Sequence, residues 1–179
     1  TYTKIITGED LMETAQHGST LYPFQFYYED LSVFDFNCIE WHWHTELEFI
    51  YIESGTVTLW IGEDQFHLTE GNGIFINTKV LHRLYSPSKA LIPNFVFMPS
   101  FIAPCDSLIY QKYILPIISS SLPFLVFHKK VCWQAKVLSI MRQIISAQDS
   151  VLSKELLTSS LLQNLWLEIF ENTDISYQE

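Results

Sequence analysis

His42 and His44 stand two residues apart, Glu48 follows four residues after His44, and His82 lies further downstream. Imidazole nitrogens and a carboxylate oxygen suit Zn, Mn, Fe, Ni or Cu, with positions left open for water or substrate. The same groups can instead bind a small molecule, or fill a barrel interior by bonding to one another. Metal centre, ligand pocket and packed interior are therefore three readings of one constellation. On an extended strand successive side chains point to opposite faces, so His42 and His44 share one. In the apolar run that follows, Glu48, Ile50 and Ile52 lie on one face, with Phe49 and Tyr51 on the other. Two such strands as neighbours in a closed sheet would bring the imidazoles and the carboxylate together inside it.

The elements that must position these groups are short strands. β-favouring runs fall at 22–28, 33–43 with an interruption near Asn37, 47–53, 56–61, 65–68, 74–77, 81–86 and 92–98. Ser54-Gly55 reads as a hairpin signal, and Gly62-Glu63-Asp64 and the stretch 69–73 as further turns, with Gly71 and Gly73 at positive φ. Turn chemistry at this rhythm predicts a sandwich or barrel. In the stretch 1–18 the one feature expected is a helical turn over 9–15.

Past Met98 the period changes. Short helical pieces are predicted over 100–121, broken by Pro104 and Pro116; the apolar run 122–128 has no decisive pattern. Helices are predicted over 131–148 and 152–172, the second with leucines at three- and four-residue steps. The three residues between them make the two antiparallel neighbours. The expected fold is mainly β with C-terminal α: a barrel over 1–98 and a helical extension over 99–179, forming one structural domain.

Composition narrows the function classes. The 179 residues carry 10 Lys+Arg against 20 Asp+Glu, a formal charge of −10, and no basic cluster, so direct binding to a phosphate backbone is disfavoured. Cys38, Cys105 and Cys132 show no C-x-x-C spacing, which fits a reducing, cytoplasmic setting. No apolar run approaches the roughly 20 residues of a membrane span. Nucleophile elbow, phosphate loop, zinc-protease helix and dinucleotide glycine pattern are all absent. An enzyme reading (oxygenase, isomerase or lyase) therefore rests wholly on a metal at His42, His44, Glu48 and His82.

The spacing His-x-His, Glu48, Gly55 resembles the first motif of the cupin superfamily, although Phe36 stands where that motif has a leading glycine. Gly71, Asn77, Lys79, His82 and Ser86 occupy the spacing of the second motif's glycine, proline, glycine, histidine and asparagine; only Gly71 and His82 keep their identity. In metal-using cupins the three histidines and the glutamate are the ligands, so the resemblance implies a ligand set of His42, His44, Glu48 and His82. Many cupin-like sensor domains carry such histidines without an ion. The longer stretch 41–83, with the helical pair behind it, resembles the sensor domain of AraC-type transcription regulators. That resemblance implies a jelly-roll barrel, a small-molecule effector (a sugar or other organic molecule), no required cofactor, and a role that is not enzymatic. It further implies a homodimer, and DNA binding only through a domain that this chain lacks, so that the chain is the sensing half of a longer protein. A stand-alone binding module remains the third class.

The effector pocket is expected to include Tyr22, Phe24 and Trp41, which could stack on a flat ligand at the barrel mouth. Arg83 could grip a ligand carboxylate or take part in a surface ion pair. The last helix is apolar over more than one stripe, so dimerisation is expected through Leu157, Leu161, Leu165 and Ile169.

Overall fold

The computed structural model describes residues 4–177. Nine strands, β1 (Phe24–Asp30), β2 (Cys38–His42), β3 (Leu47–Tyr51), β4 (Thr56–Ile61), β5 (Asp64–Thr69), β6 (Gly73–Ile76), β7 (His82–Tyr85), β8 (Leu91–Phe97) and β9 (Phe124–Phe127), form two antiparallel sheets. The larger runs β1-β8-β3-β6-β9 and the smaller β2-β7-β4-β5. This is a double-stranded β-barrel, or jelly roll. A short helix α1 (Leu115–Ile118) and the hairpin of α2 (Cys132–Ala147) and α3 (Lys154–Asn172) follow it.

The strand period sorts side chains into two cores. Ile50, Ile74, Ile76 and Ile92 face the smaller sheet and meet Ile39, Leu59 and Leu84 in the barrel interior. Their neighbours in sequence, Phe49, Phe75, Phe95 and Phe97, point the other way and pack under Val137, Met141, Leu165 and Trp166 of the helices. Phe49 lies nearly parallel to Phe97 and Phe127, with centroids 6.1 and 6.3 Å away. The larger sheet is thus apolar on both faces, one towards the cavity and one towards the helices.

Several local expectations are corrected. β3 and β4 belong to different sheets, so Ser54-Gly55 is a corner between sheets and not a hairpin. Gly55 is still required there: its φ is +87°, and a Cβ would come within 2.7 Å of the Lys89 carbonyl. The hairpin lies at Gly62-Glu63, where Ile61 pairs with Asp64. Gly71 has the predicted positive φ, whereas Gly73 does not. A Cβ on Gly73 would lie 3.0 Å from Leu138 Cδ2, so a small residue there lets α2 sit close on the sheet. The stretch 9–15 is not helical; Met12 bridges Trp43 and Thr7 bridges Glu13. The undecided run 122–128 supplies β9, which pairs with β6, so the larger sheet takes its last strand from beyond Met98.

Candidate functional site

His42 ends β2, His44 lies just past it, Glu48 is on β3 and His82 opens β7. These elements come from opposite sheets, so the cluster spans the barrel; the neighbouring-strand placement expected from the sequence does not hold. A bulge between Ile39 and His42 makes the inward turn. Without an extra residue, two positions three apart would face opposite ways; with it, both Ile39 and His42 face the interior. One ligand atom from each of His42, His44, Glu48 and His82 lies within 4.8 Å of the others, and all four residues are buried.

The three imidazoles are oriented alike. Nδ1–H of His42 donates to the Glu40 carbonyl (2.8 Å), that of His44 to the Glu46 carbonyl (3.0 Å), and that of His82 to the Val80 carbonyl (2.8 Å). A carbonyl partner fixes the tautomer, so each ring turns Nε2 towards the cluster. Nε2 of His44 and of His82 both approach the same Glu48 oxygen, at 3.0 and 3.1 Å. Nitrogen lone pairs and a carboxylate do not attract one another, so each of these contacts needs a proton or a metal ion between its atoms.

Burial works against a charged His44, but the hydrogen bond and charge of Glu48 outweigh it and raise its pKa above the usual 6.5. Burial likewise opposes charge on Glu48, yet the hydrogen bonds from His44 and His82 hold its carboxyl well below the usual range. His42 is pressed down to about 3 by burial and by the neighbouring His82, which leaves its ring neutral. Three Nε2 atoms and a carboxylate oxygen, pre-oriented and buried, are a donor set that fits a divalent transition metal.

Above the cluster a cavity of about 520 Å³ opens, with His42, His44 and Glu48 among its lining residues. Ile39, Ile50, Leu84, Ile92 and Val96 give it apolar walls, and Glu29 and Asn94 add polar groups from β1 and β8. The N-terminal arm contributes Glu13 and His17. It is tied down by the Glu13 N–H to the Trp43 carbonyl (2.9 Å), and the Trp43 N–H to the Leu11 carbonyl (3.1 Å). His17 Nδ1 lies 2.7 Å from the Tyr27 hydroxyl, and Nε2 3.2 Å from Glu13.

Four of the expected pocket residues lie elsewhere. Phe24 and Tyr22 join the aromatic layer under the helices, because Phe24 pairs with Phe97 on the outer face of the larger sheet. Trp41 is half-buried and does not line the cavity, since the residue beside an inward His42 faces away. Arg83 lies outside, bonded to Glu40 at 2.9 Å and stacked 4.6 Å over Trp60. Sequence reading missed Glu29, Asn94, Glu13, His17 and Tyr27. Asn94 had a signal, a polar residue at the inward parity of an apolar strand; the arm had none.

On α3, Leu165 and Ile169 are fully buried and Leu161 nearly so, covered by the domain's own core. Of the expected dimerisation residues only Leu157 keeps appreciable exposure, at 38%, because the side facing the sheet takes the others. Apolar side chains left open on the helix are Leu156 and Leu167, at 77% and 49%, with Val151 and Leu152 exposed in the turn before it. No helix among the described residues is long and apolar enough to cross a membrane.

Residues 25–166 match the family model of the AraC-like ligand binding domain. An uncharacterized HTH-type transcriptional regulator of Bacillus subtilis (strain 168), YdeC, is 24% identical over 143 residues, covering 78% of this chain and 48% of that protein. The chain thus spans about half the length of the curated relative it matches. ToxT from Vibrio cholerae superposes with a TM-score of 0.57 at 14% identity, over 87% of this chain and 57% of that one. ToxT bound to (E)-4-(8-methylnaphthalen-1-yl)but-3-enoic acid gives 0.53 at 14% identity, over 86% and 60%. At these identities the likeness to ToxT is one of fold.

Proposed function

Since this chain belongs to the AraC-like ligand-binding domain family, we propose that it is the effector-sensing part of a transcription regulator, with the barrel cavity as its sensor. The observation that carries this reading is the 520 Å³ cavity, mostly apolar and floored by convergent polar groups, a size and character suited to a small organic molecule. In this reading DNA contact belongs to a further domain of the regulator, which accords with the acidic balance of this chain. Val96→Phe, which fills the cavity, should leave the domain folded and make the full-length regulator's DNA affinity insensitive to effector. A Val96→Phe regulator that responds as the parent does would remove the cavity from the sensing mechanism.

The cluster at its floor fits a divalent ion, and we assign His42, His44, Glu48 and His82 as its holders. A bound ion would act as a Lewis acid that a ligand oxygen or nitrogen can address. The same donor set is what a metal-dependent enzyme would need, and it is the feature that keeps that second reading alive. Turnover of a bound ligand, abolished by His42→Ala with His44→Ala, would favour the enzyme over the sensor.

We further propose that the regulator pairs through the outer face of α3, where Leu156, Leu157 and Leu167 remain exposed, with Leu152 just before it. A self-complementary patch closes a two-fold assembly, and paired readers suit paired DNA half-sites.

A further inference from the structure

We propose that the effector is a cation, an amine on an apolar frame, whose charge is met by Glu29 and Glu13. This rests on the cavity being the effector site and adds the chemical class of what enters it. The lining holds four carboxylates, Glu13, Glu29, Asp30 and Glu48, and neither lysine nor arginine. Asp30 is answered from outside by Lys89 at 3.7 Å and by the backbone and hydroxyl of Ser32. Glu48 has His44 and His82, and Glu13 has His17 at 3.2 Å. Among the described residues Glu29 has no lysine, arginine or histidine within ion-pair distance; the Asn94 amide donates to it from 3.3 Å.

The neighbours of Glu29 make its position worse. Burial comes first, and the charges of Glu48 and Glu13 add to it in opposing ionisation of Glu29, outweighing the opposite effects of the Asn94 hydrogen bond and of His17. A ligand ammonium placed there would relieve all three carboxylates at once, since charge-assisted hydrogen bonds are strongest where water is excluded. A ligand carboxylate in the same place would add a further negative charge to the crowd.

A second, independent observation concerns hydrogen bonding. His42 is 5% exposed, its Nδ1–H is committed to the Glu40 carbonyl, and its Nε2 is not hydrogen-bonded to any of the described residues. An acceptor left open on the cavity lining is met by a donor that enters the cavity. The cavity wall therefore offers the Glu29 carboxylate and the His42 nitrogen as acceptors without a basic partner, while the Asn94 amide and the Tyr28 hydroxyl already donate to Glu29 and Glu53. A ligand that complements it must bring N–H donors. Ile39, Ile50, Leu84, Ile92 and Val96 then accommodate its apolar body. The carboxylate ligand of ToxT has the opposite charge, so the shared fold is here paired with a reversed electrostatic preference. An ion on the histidine cluster would occupy His42 and Glu48 but leave Glu13 and Glu29 in place.

The test is calorimetric titration of the protein, in chelator, with matched trios of amine, alcohol and carboxylate on a series of aryl and branched-alkyl frames. The amine of the best frame should bind at least tenfold more tightly than its alcohol, and the acid should not bind. Glu29→Gln, near in shape to the parent, should weaken the amine about tenfold or more, as expected for losing a charged hydrogen bond, and leave the alcohol unchanged. Glu13→Gln serves as a second variant with a smaller loss. Preference for alcohol or acid would overturn the charge assignment while leaving the cavity as the sensor. Equal amine affinity in parent and both variants would overturn it too, as would binding of acids alone once zinc is added. Silence from every trio would overturn both this inference and the sensing role on which it rests.

Discussion

The backbone N–H of Lys79 donates to the carbonyl of His44 across 2.8 Å, and Lys79 makes this bond in the left-handed region, at φ 61°. The neighbouring Thr78 hydroxyl bonds the Thr45 carbonyl at 2.8 Å, so this turn clamps the chain just past β2. Lys79 stands at the spacing where the resembled motif has glycine. The left-handed backbone that glycine adopts most easily is here adopted by a lysine. Lys79→Gly should relieve about 1 kcal/mol of left-handed strain, offset in part by glycine's larger unfolded-state entropy. A net gain of up to about 1 kcal/mol in urea unfolding is expected, with a loss of similar size or larger for Lys79→Val.

The histidine cluster should take up a divalent transition metal. Zinc or manganese is expected to raise the melting temperature of the parent protein, because an ion that binds only the native state stabilises it. His42→Ala combined with His44→Ala should remove that rise. Elemental analysis showing no uptake by the parent from added Zn, Mn or Fe would leave the cluster held by protons alone.

Glu29 gives a stability dependence of known sign. Burial, first, and the charge of Glu48 push its carboxyl from 4.5 up to about 7. Between those values the native state keeps a proton that the unfolded chain has released. The contribution of Glu29 is therefore fully present below about pH 4.5 and is lost as pH rises through about 7. Its full size is on the order of 3 kcal/mol at 1.36 kcal/mol per pKa unit. The stability difference between Glu29→Gln and the parent should shift in favour of the variant over that window. A flat difference from pH 4 to 8 would show that Glu29 titrates normally.

The two sides of α3 should answer differently to the same substitution. Leu156→Glu with Leu167→Glu places charge on the open side and should give a folded protein that sediments as a monomer at micromolar concentration. Leu165→Glu buries an unpaired carboxylate in the core and should unfold the domain. A parent that already sediments as a monomer would dismiss pairing through this helix.

The strand period was legible because one face of nearly every strand is continuously apolar, and Ile50 against Phe49 sorts correctly from alternation alone. The His42, His44, Glu48 and His82 set was legible from residue type and spacing. Its placement across two sheets was not, because sheet membership is decided by connections such as the Ser54-Gly55 corner, which resembles a hairpin locally. The bulge before His42 leaves no mark that a reader could separate from ordinary strand. Tyr22 and Phe24 were misplaced for a related reason: an aromatic suits either face of β1, and only pairing of Phe24 with Phe97 settles which. Glu13 and His17 reach the cavity through backbone bonds to Trp43, which carry no side-chain signature.

The strand order of the larger sheet also sets a timetable for folding. β4 and β5 form a local hairpin, but β1 waits for β8, with Phe24 opposite Phe97, and β6 waits for β9, with Ile76 opposite Phe124. Each distant pairing must close a long loop before any contact rewards it. As the chain leaves the ribosome, β1 emerges long before its partner and β6 keeps an open edge until residue 127 appears. Folding of the barrel is therefore completed only after residue 127 has emerged. Until then the edges of β1 and β6 present unpaired N–H and C=O groups that other chains could join.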